Sequence, residues 1–134
     1  MNIPSWVEFV KYDAQGLVPA VVQDTRDGEV LMVAYMNREA LLETLRTGRG
    51  VFFSRSRNKL WRKGEESGNV QEVTSVSLDC DKDCVLLRVN QIGGAACHTG
   101  RRSCFFHFVR EDGSLETRGE RLFDPAKVYP KTQS

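Results

Sequence analysis

The stretch LVPAVVQDTRDGEVLMVAYMNREALLETLRTG, residues 17–48, decides the fold. Its first arm, 17–22, is a short apolar run holding Pro19. Proline cannot donate to a strand ladder, which predicts a sheet edge or a strand end there. Asp27-Gly28, inside the turn 24–28, is a favoured hairpin dipeptide. The second arm, 30–35, is nearly all apolar and reads as a well-buried strand. Residues 17–36 therefore predict a β-hairpin. Asn37 then fits a helix N-cap, since its side chain accepts from free first-turn amides. Glu39 lies near the positive end of the helix dipole. Leu41, Leu42 and Leu45 share one face at helical spacing, and Gly48 is a C-terminal stop. The spacing predicts a helix over 38–47 whose leucines are core.

Downstream, 51–54 reads as a strand and 55–64 as a basic segment without one. Strands are expected over 70–78 and 84–90, with a tight turn at 81–83 between them. Residues 92–96 form a flexible approach to Cys97. A strand over 105–110 turns at 111–113 into 114–117. Upstream, 1–16 is a lead-in whose Trp6, Val7, Phe9 and Val10 pack on the rest. The tail, 118–134, carries two prolines and no periodicity and reads as loop. With no internal repeat or linker, 1–134 is expected to be a single domain. The β-helix-β alternation of a parallel sheet is missing. The expected class is α+β, a mainly antiparallel sheet with one main helix.

Composition narrows the function classes. Of the 134 residues, 40% are apolar and 28% charged, as in ordinary globular proteins. The net charge of +1 does not call for nucleic acid or an acidic membrane, so an anionic ligand needs a local cluster. The opening MNIPSWVE lacks a basic region followed by an apolar run, so neither a signal peptide nor a membrane span is expected. A cytoplasmic location follows. Disulfides are rare there, so the four cysteines lean towards metal binding or chemistry.

All four cysteines fall between residues 79 and 106. Asp79-Cys-Asp-Lys-Asp-Cys84 places three carboxylates at alternate positions. On an extended backbone they would share a face, with Cys80 on the other. Three like charges together favour a hard, partly hydrated divalent ion such as magnesium; a solvated acidic turn is the bland alternative. Cys80, Cys97 and Cys104 supply three soft thiolates, which suit zinc. Cys84 or His98 would make a fourth, structural ligand; with three, a position stays open for catalysis. His98 reads either as that ligand or as a general acid/base, and His107 as structural. In the basic segment, Arg55, Arg57, Lys59, Arg62 and Lys63 surround Trp61. That mixture suits a phosphorylated nucleotide, with cations on phosphate and indole on base, or single-stranded nucleic acid.

These blocks together resemble a known family. Leu60-Trp-Arg-Lys-Gly-Glu65 with Ser67-Gly-Asn69, Leu78-Asp-Cys-Asp-Lys-Asp83, and Ala96-Cys-His-Thr-Gly100 with Arg102-Ser-Cys-Phe105 are similar to phosphoribosyl-AMP cyclohydrolase. Gly16-Leu-Val-Pro-Ala20 and Met32-Val-Ala-Tyr-Met-Asn37 add to the likeness. The resemblance implies a hydrolase of histidine biosynthesis, third in that pathway. It opens the adenine ring of 1-(5-phosphoribosyl)-AMP at the N1–C6 bond. It implies zinc on Cys80, Cys97 and Cys104, and magnesium on Asp79, Asp81 and Asp83. It further implies an intertwined homodimer in which Cys80 comes from one subunit and the other two thiolates from its partner. Nucleic-acid and membrane partners are then not expected. His98 becomes the candidate for proton transfer, and Arg55, Trp61, Lys63 and Ser67 the candidates for holding substrate. Position 84 more often holds a small apolar residue in the family. Many relatives also carry a fused second domain; here the cyclohydrolase alone is expected.

Overall fold

A computed structural model describes residues 2–128. The 17–36 segment forms the expected hairpin: β1 (Val18–Asp24) pairs antiparallel with β2 (Val30–Met36). Gly28 takes φ 82° at its turn, a conformation that glycine adopts without a Cβ penalty. Helix α1 (Arg38–Thr47) follows directly. Asn37 Oδ1 accepts from the Ala40 amide at 2.8 Å, and Gly48, at φ 71°, ends the helix by donating to Thr44 O at 2.9 Å. Leu41 is fully buried, Leu42 and Leu45 partly so. Thr44, also buried, donates from Oγ1 to Val51 O at 3.1 Å and accepts from Val51 N at 3.0 Å. That exchange ties the helix to β3 (Val51–Ser54).

Strand β4 (Lys59–Arg62) pairs antiparallel with β3, placing Trp61 opposite Phe52. No strand was expected in this basic segment. Only Leu60 and Trp61 are apolar there, and pairing with β3, not alternation, makes the strand. Asn58, at φ 52°, closes the turn between them. Strands β5 (Gln71–Leu78) and β6 (Val85–Gln91) form a second hairpin. The sheet order is β4-β3-β2-β1-β6-β5.

One contact departs from the antiparallel expectation: β6 runs parallel to β1, from Ala20 opposite Val85 to Asp24 opposite Val89. These strands lie far apart in the chain, so no local β-helix-β unit announces the pairing. It also makes β1 central and not an edge. Pro19 is tolerated because it precedes Ala20, the first residue that β6 pairs with; it marks a strand end. Val18, Ala20 and Val22 of β1 point to the same core as Val85, Leu87 and Val89 of β6, as strand alternation requires. A 3-10 turn at Ser5–Phe9 caps that core with Val7, while Phe9 stays exposed.

Beyond the sheet, β7 (His107–Val109) and β8 (Leu115–Thr117) form a separate two-stranded ribbon. Phe105, Phe108, Val109 and Leu115 are exposed around it. The tail is not all loop: α2 (Pro125–Val128) is a short helix, and what was expected beyond 128 lies outside the described residues. Among the described residues no helix is long and apolar enough to cross a membrane.

Candidate active site

A cavity of about 520 Å³ opens beside β4. Trp61, Lys63, Ser67, His98 and Cys104, all singled out in the sequence, line it together. Trp61 is braced from behind by the buried Phe52 ring at 5.1 Å. The loop after β4 is fixed by a close approach. Gly64 sits at φ 85°, and a Cβ there would lie 2.3 Å from Val70 N. Ser67 Oγ accepts from the Asn69 amide at 3.1 Å.

The opposite wall is the cysteine loop. Ala96 N donates to Arg102 O and Cys97 N to Arg101 O, each at 3.0 Å, so the loop folds back on itself. Gly100 N closes the turn on Cys97 O at 3.0 Å. Cys104 N reaches Leu31 O at 2.7 Å, which hangs the second cysteine from the start of β2. The two thiols are in hydrogen-bonding contact. Cys97 is buried, with Sγ 3.0 Å from Thr99 Oγ1. Cys104 is an exposed residue, but its thiol is largely desolvated. That desolvation first, and the Cys97 thiol second, push its pKa up to about 12. Lys63 Nζ donates to Ala96 O, next to this pair. Burial pushes the Lys63 ammonium towards deprotonation, while charge on Cys104 and Cys97 opposes that. His98 is exposed on the cavity wall.

Cys80 and the aspartates lie elsewhere in the chain. Residues 79–84 are not extended: they turn from β5 into β6 with Lys82 left-handed at φ 61°. The face-sharing argument from alternate positions therefore does not apply. The turn itself brings Asp79 and Asp83 together. Asp79 Oδ1 accepts from the Asp83 amide at 3.0 Å. The two side chains also share a hydrogen bond. Together with desolvation and the Asp79 and Asp81 charges, this raises the Asp83 pKa. Desolvation pushes Asp79 up, but hydrogen bonds from Asp83, Cys84 and Lys82 outweigh it and hold Asp79 low. Cys84 lies here, its thiol pKa raised by burial and then by Asp79 and Asp83.

Topology keeps Cys80 away from the other two sulfurs of its own chain. The 79–84 turn lies towards the start of β1, because Val85 pairs with Ala20; Cys104 hangs from Leu31, towards the end of β1. Crossing from β2 through β1 to β6 alone spans roughly 10 Å. Two sulfurs on one zinc sit within about 4 Å. Accordingly, no group of three or more potential metal-ligating side chains forms among the described residues.

Two further placements differ from the sequence reading. Arg55 stacks on Tyr35 at 4.0 Å and lines a separate hollow with Asp13 and Asn58. Its place at the cavity is taken by Arg57 and Lys59. Arg102, never singled out, donates to Asp24 and Asp27, each at 2.8 Å, and to Glu29. The available signal was an acidic hairpin turn and an arginine lying between two candidate ligands. His107 is exposed in β7 with its ring 4.3 Å from Phe106.

Comparison with known proteins shows the family. A family profile described as phosphoribosyl-AMP cyclohydrolase matches residues 32–106. A phosphoribosyl-AMP cyclohydrolase of Thiobacillus denitrificans is 69% identical over 107 residues, 80% of each chain. One of Aromatoleum aromaticum is 53% identical over 128 residues, 96% of each chain. One of an Azoarcus species is 54% identical over 92% of this chain and 95% of its own.

Proposed function

The chain belongs to the phosphoribosyl-AMP cyclohydrolase family, a family of hydrolases, and from that premise we propose a zinc-dependent opening of the adenine ring of 1-(5-phosphoribosyl)-AMP at the N1–C6 bond. In this reading the enzyme serves the third step of histidine biosynthesis, in the cytoplasm, where thiols stay reduced. The observation that carries it is the contact of the buried Cys97 thiol with Cys104, which lines a cavity together with Trp61, His98 and basic side chains.

The donor chemistry fits zinc: soft sulfurs, one buried and one on the cavity wall. Two sulfurs are one short of a catalytic set, and Cys80 of a second copy supplies the third. The exposed ribbon β7–β8 supports such a homodimer. A lone two-stranded hairpin is marginal in water, and Phe108, Val109 and Leu115 need cover. The turn that brings Cys80 also brings Asp79, Asp81 and Asp83, whose hard oxygens suit magnesium. The like-charged Asp79–Asp83 contact is one that a divalent cation relieves. Bound at the thiols, zinc supplies Lewis acidity that makes water a nucleophile at neutral pH.

The protein's own residues do the rest. The cavity volume is in the range of small-molecule sites. Trp61, immobilised against Phe52, presents its indole to the purine. Arg57 and Lys59 meet phosphate oxygens, and Ser67 offers a hydroxyl at the same wall. His98 accepts one proton as the water oxygen bonds to C6 and returns it to N1 as the C6–N1 bond breaks, while the second water proton leaves the C6 hydroxyl to solvent as the carbonyl forms. The exocyclic amino group stays on C6, which becomes a carboxamide.

Turnover of 1-(5-phosphoribosyl)-AMP with and without a zinc chelator tests this. Activity should vanish on chelation, return with zinc, and be absent from Cys97→Ala together with the metal. Full activity without bound zinc overturns the reading, and released ammonia would reassign the reaction to deamination.

A further inference from the structure

Lys63 is the one cation of the cavity wall that is buried, at 9% exposed. Its place is tightly specified. Its amide donates to Gly50 O at 3.0 Å, the next residue is the close-packed Gly64, and its ammonium stands 5.9 Å from the Trp61 ring centre. Its Nζ is committed to Ala96 O, the residue before Cys97. A phosphate ligand would instead be expected at the rim, as the exposed Lys59 is. Charge on Cys104 and Cys97 acts on its ammonium. Zinc with three thiolates carries one net negative charge. Burying that charge is costly unless a cation balances it. Lys63 is placed to do so.

We propose that Lys63 is a positioning residue for the zinc centre and not a phosphate ligand: its ammonium pins the Ala96–Cys97 backbone and neutralises the three-thiolate site. This rests on the zinc reading above. Residues that orient metal ligands typically contribute about 10–100-fold to metal affinity, and that is the loss expected of Lys63→Met, which keeps the length but not the charge.

The test is competition between the full-length protein and a chromogenic chelator. It is run with zinc, and with cobalt to read the thiolate charge-transfer band. Lys63→Met should bind zinc about 10–100-fold more weakly, with a shifted cobalt band, a lower kcat and little change in KM. Unaltered zinc affinity, or a rise in KM alone, overturns the inference while leaving the zinc reading intact. A wild-type chain that binds no zinc overturns the zinc reading itself. A second measurement needs no variant: acetylation of the folded wild type, read at each lysine by mass spectrometry. Zinc should slow labelling of Lys63 and inorganic phosphate should not; protection by phosphate but not zinc would overturn the inference even if Lys63→Met failed to fold.

Discussion

Arg102 Nη2 donates at 2.8 Å to the Asp24 carboxylate, which is 3% exposed, bridging the cysteine loop to the end of β1. Asp27 and Glu29 accept from the same guanidinium. Ser103 Oγ donates to Val30 O at 2.8 Å and Cys104 N to Leu31 O at 2.7 Å, so this bridge sets where Cys104 stands. Arg102→Met leaves the Asp24 charge buried without its main partner, a loss of about 3 kcal/mol. The thermal midpoint should fall by roughly 10 °C, read by calorimetry on the metal-free protein. An unchanged midpoint would show that the clamp contributes no stability.

The same clamp predicts acid sensitivity. Arg102 is the first cause of the Asp27 pKa falling from 3.8 to about 2. For Asp24, burial pushes upward, but hydrogen bonds from Arg102 and Arg26 prevail and hold it below 3.8. A carboxylate depressed in the folded state stabilises it above the unfolded pKa, and the contribution is lost as pH falls through the folded value. The wild-type midpoint should therefore drop between about pH 4 and pH 2, and the gap to Arg102→Met should narrow across that window. A gap that stays constant to pH 2 would mean the contact is not held by ionised carboxylates.

The parts legible in sequence were those with local causes. Asn37, Gly48 and the leucine spacing define α1 within the segment itself, and Asp27-Gly28 defines its hairpin. The parallel β1–β6 contact was hidden because Ala20 and Val85 carry no mark of each other. Strand β4 was hidden because pairing with Phe52, not its own alternation, holds Trp61 in line. At the site, residue types pointed to Cys104, His98, Trp61 and Ser67, which do line one cavity, and to Cys97, which is buried in contact with Cys104. What sequence could not supply is direction. Arg55 turns to Tyr35, and Lys63 turns inward to Ala96, because of strand register that no residue type encodes.

The loop after β4 offers a backbone test. Gly64 and Gly68 both have positive φ, at 85° and 80°, so alanine strains either by about 1 kcal/mol. At Gly68 a Cβ meets nothing within 4 Å, whereas at Gly64 it would lie 2.3 Å from Val70 N. Gly64→Ala should therefore destabilise clearly more than Gly68→Ala. It should also weaken zinc retention by shifting Lys63. Equal melting curves and equal zinc affinity for the two variants would contradict the close approach.

The proposed division of sulfurs between two copies yields the sharpest test of the assembly. Cys80 sits on the β5–β6 turn, while Cys97 and Cys104 stand near the start of β2, and no cluster of three forms within a chain among the described residues. If two copies share each zinc, Cys80→Ala and Cys97→Ala are each inactive alone. A mixed dimer nevertheless contains one intact site, built from the Cys80 of one copy and the Cys97–Cys104 pair of the other. Its second site carries both lesions. Random pairing makes half the dimers mixed, so co-refolding equal amounts should restore about a quarter of wild-type activity and zinc content. A centre completed within one chain gives no recovery, because each copy then carries its own defect wherever it pairs. Val109→Asp, on the exposed face of β7, should lower that recovery if the ribbon is what the second copy covers.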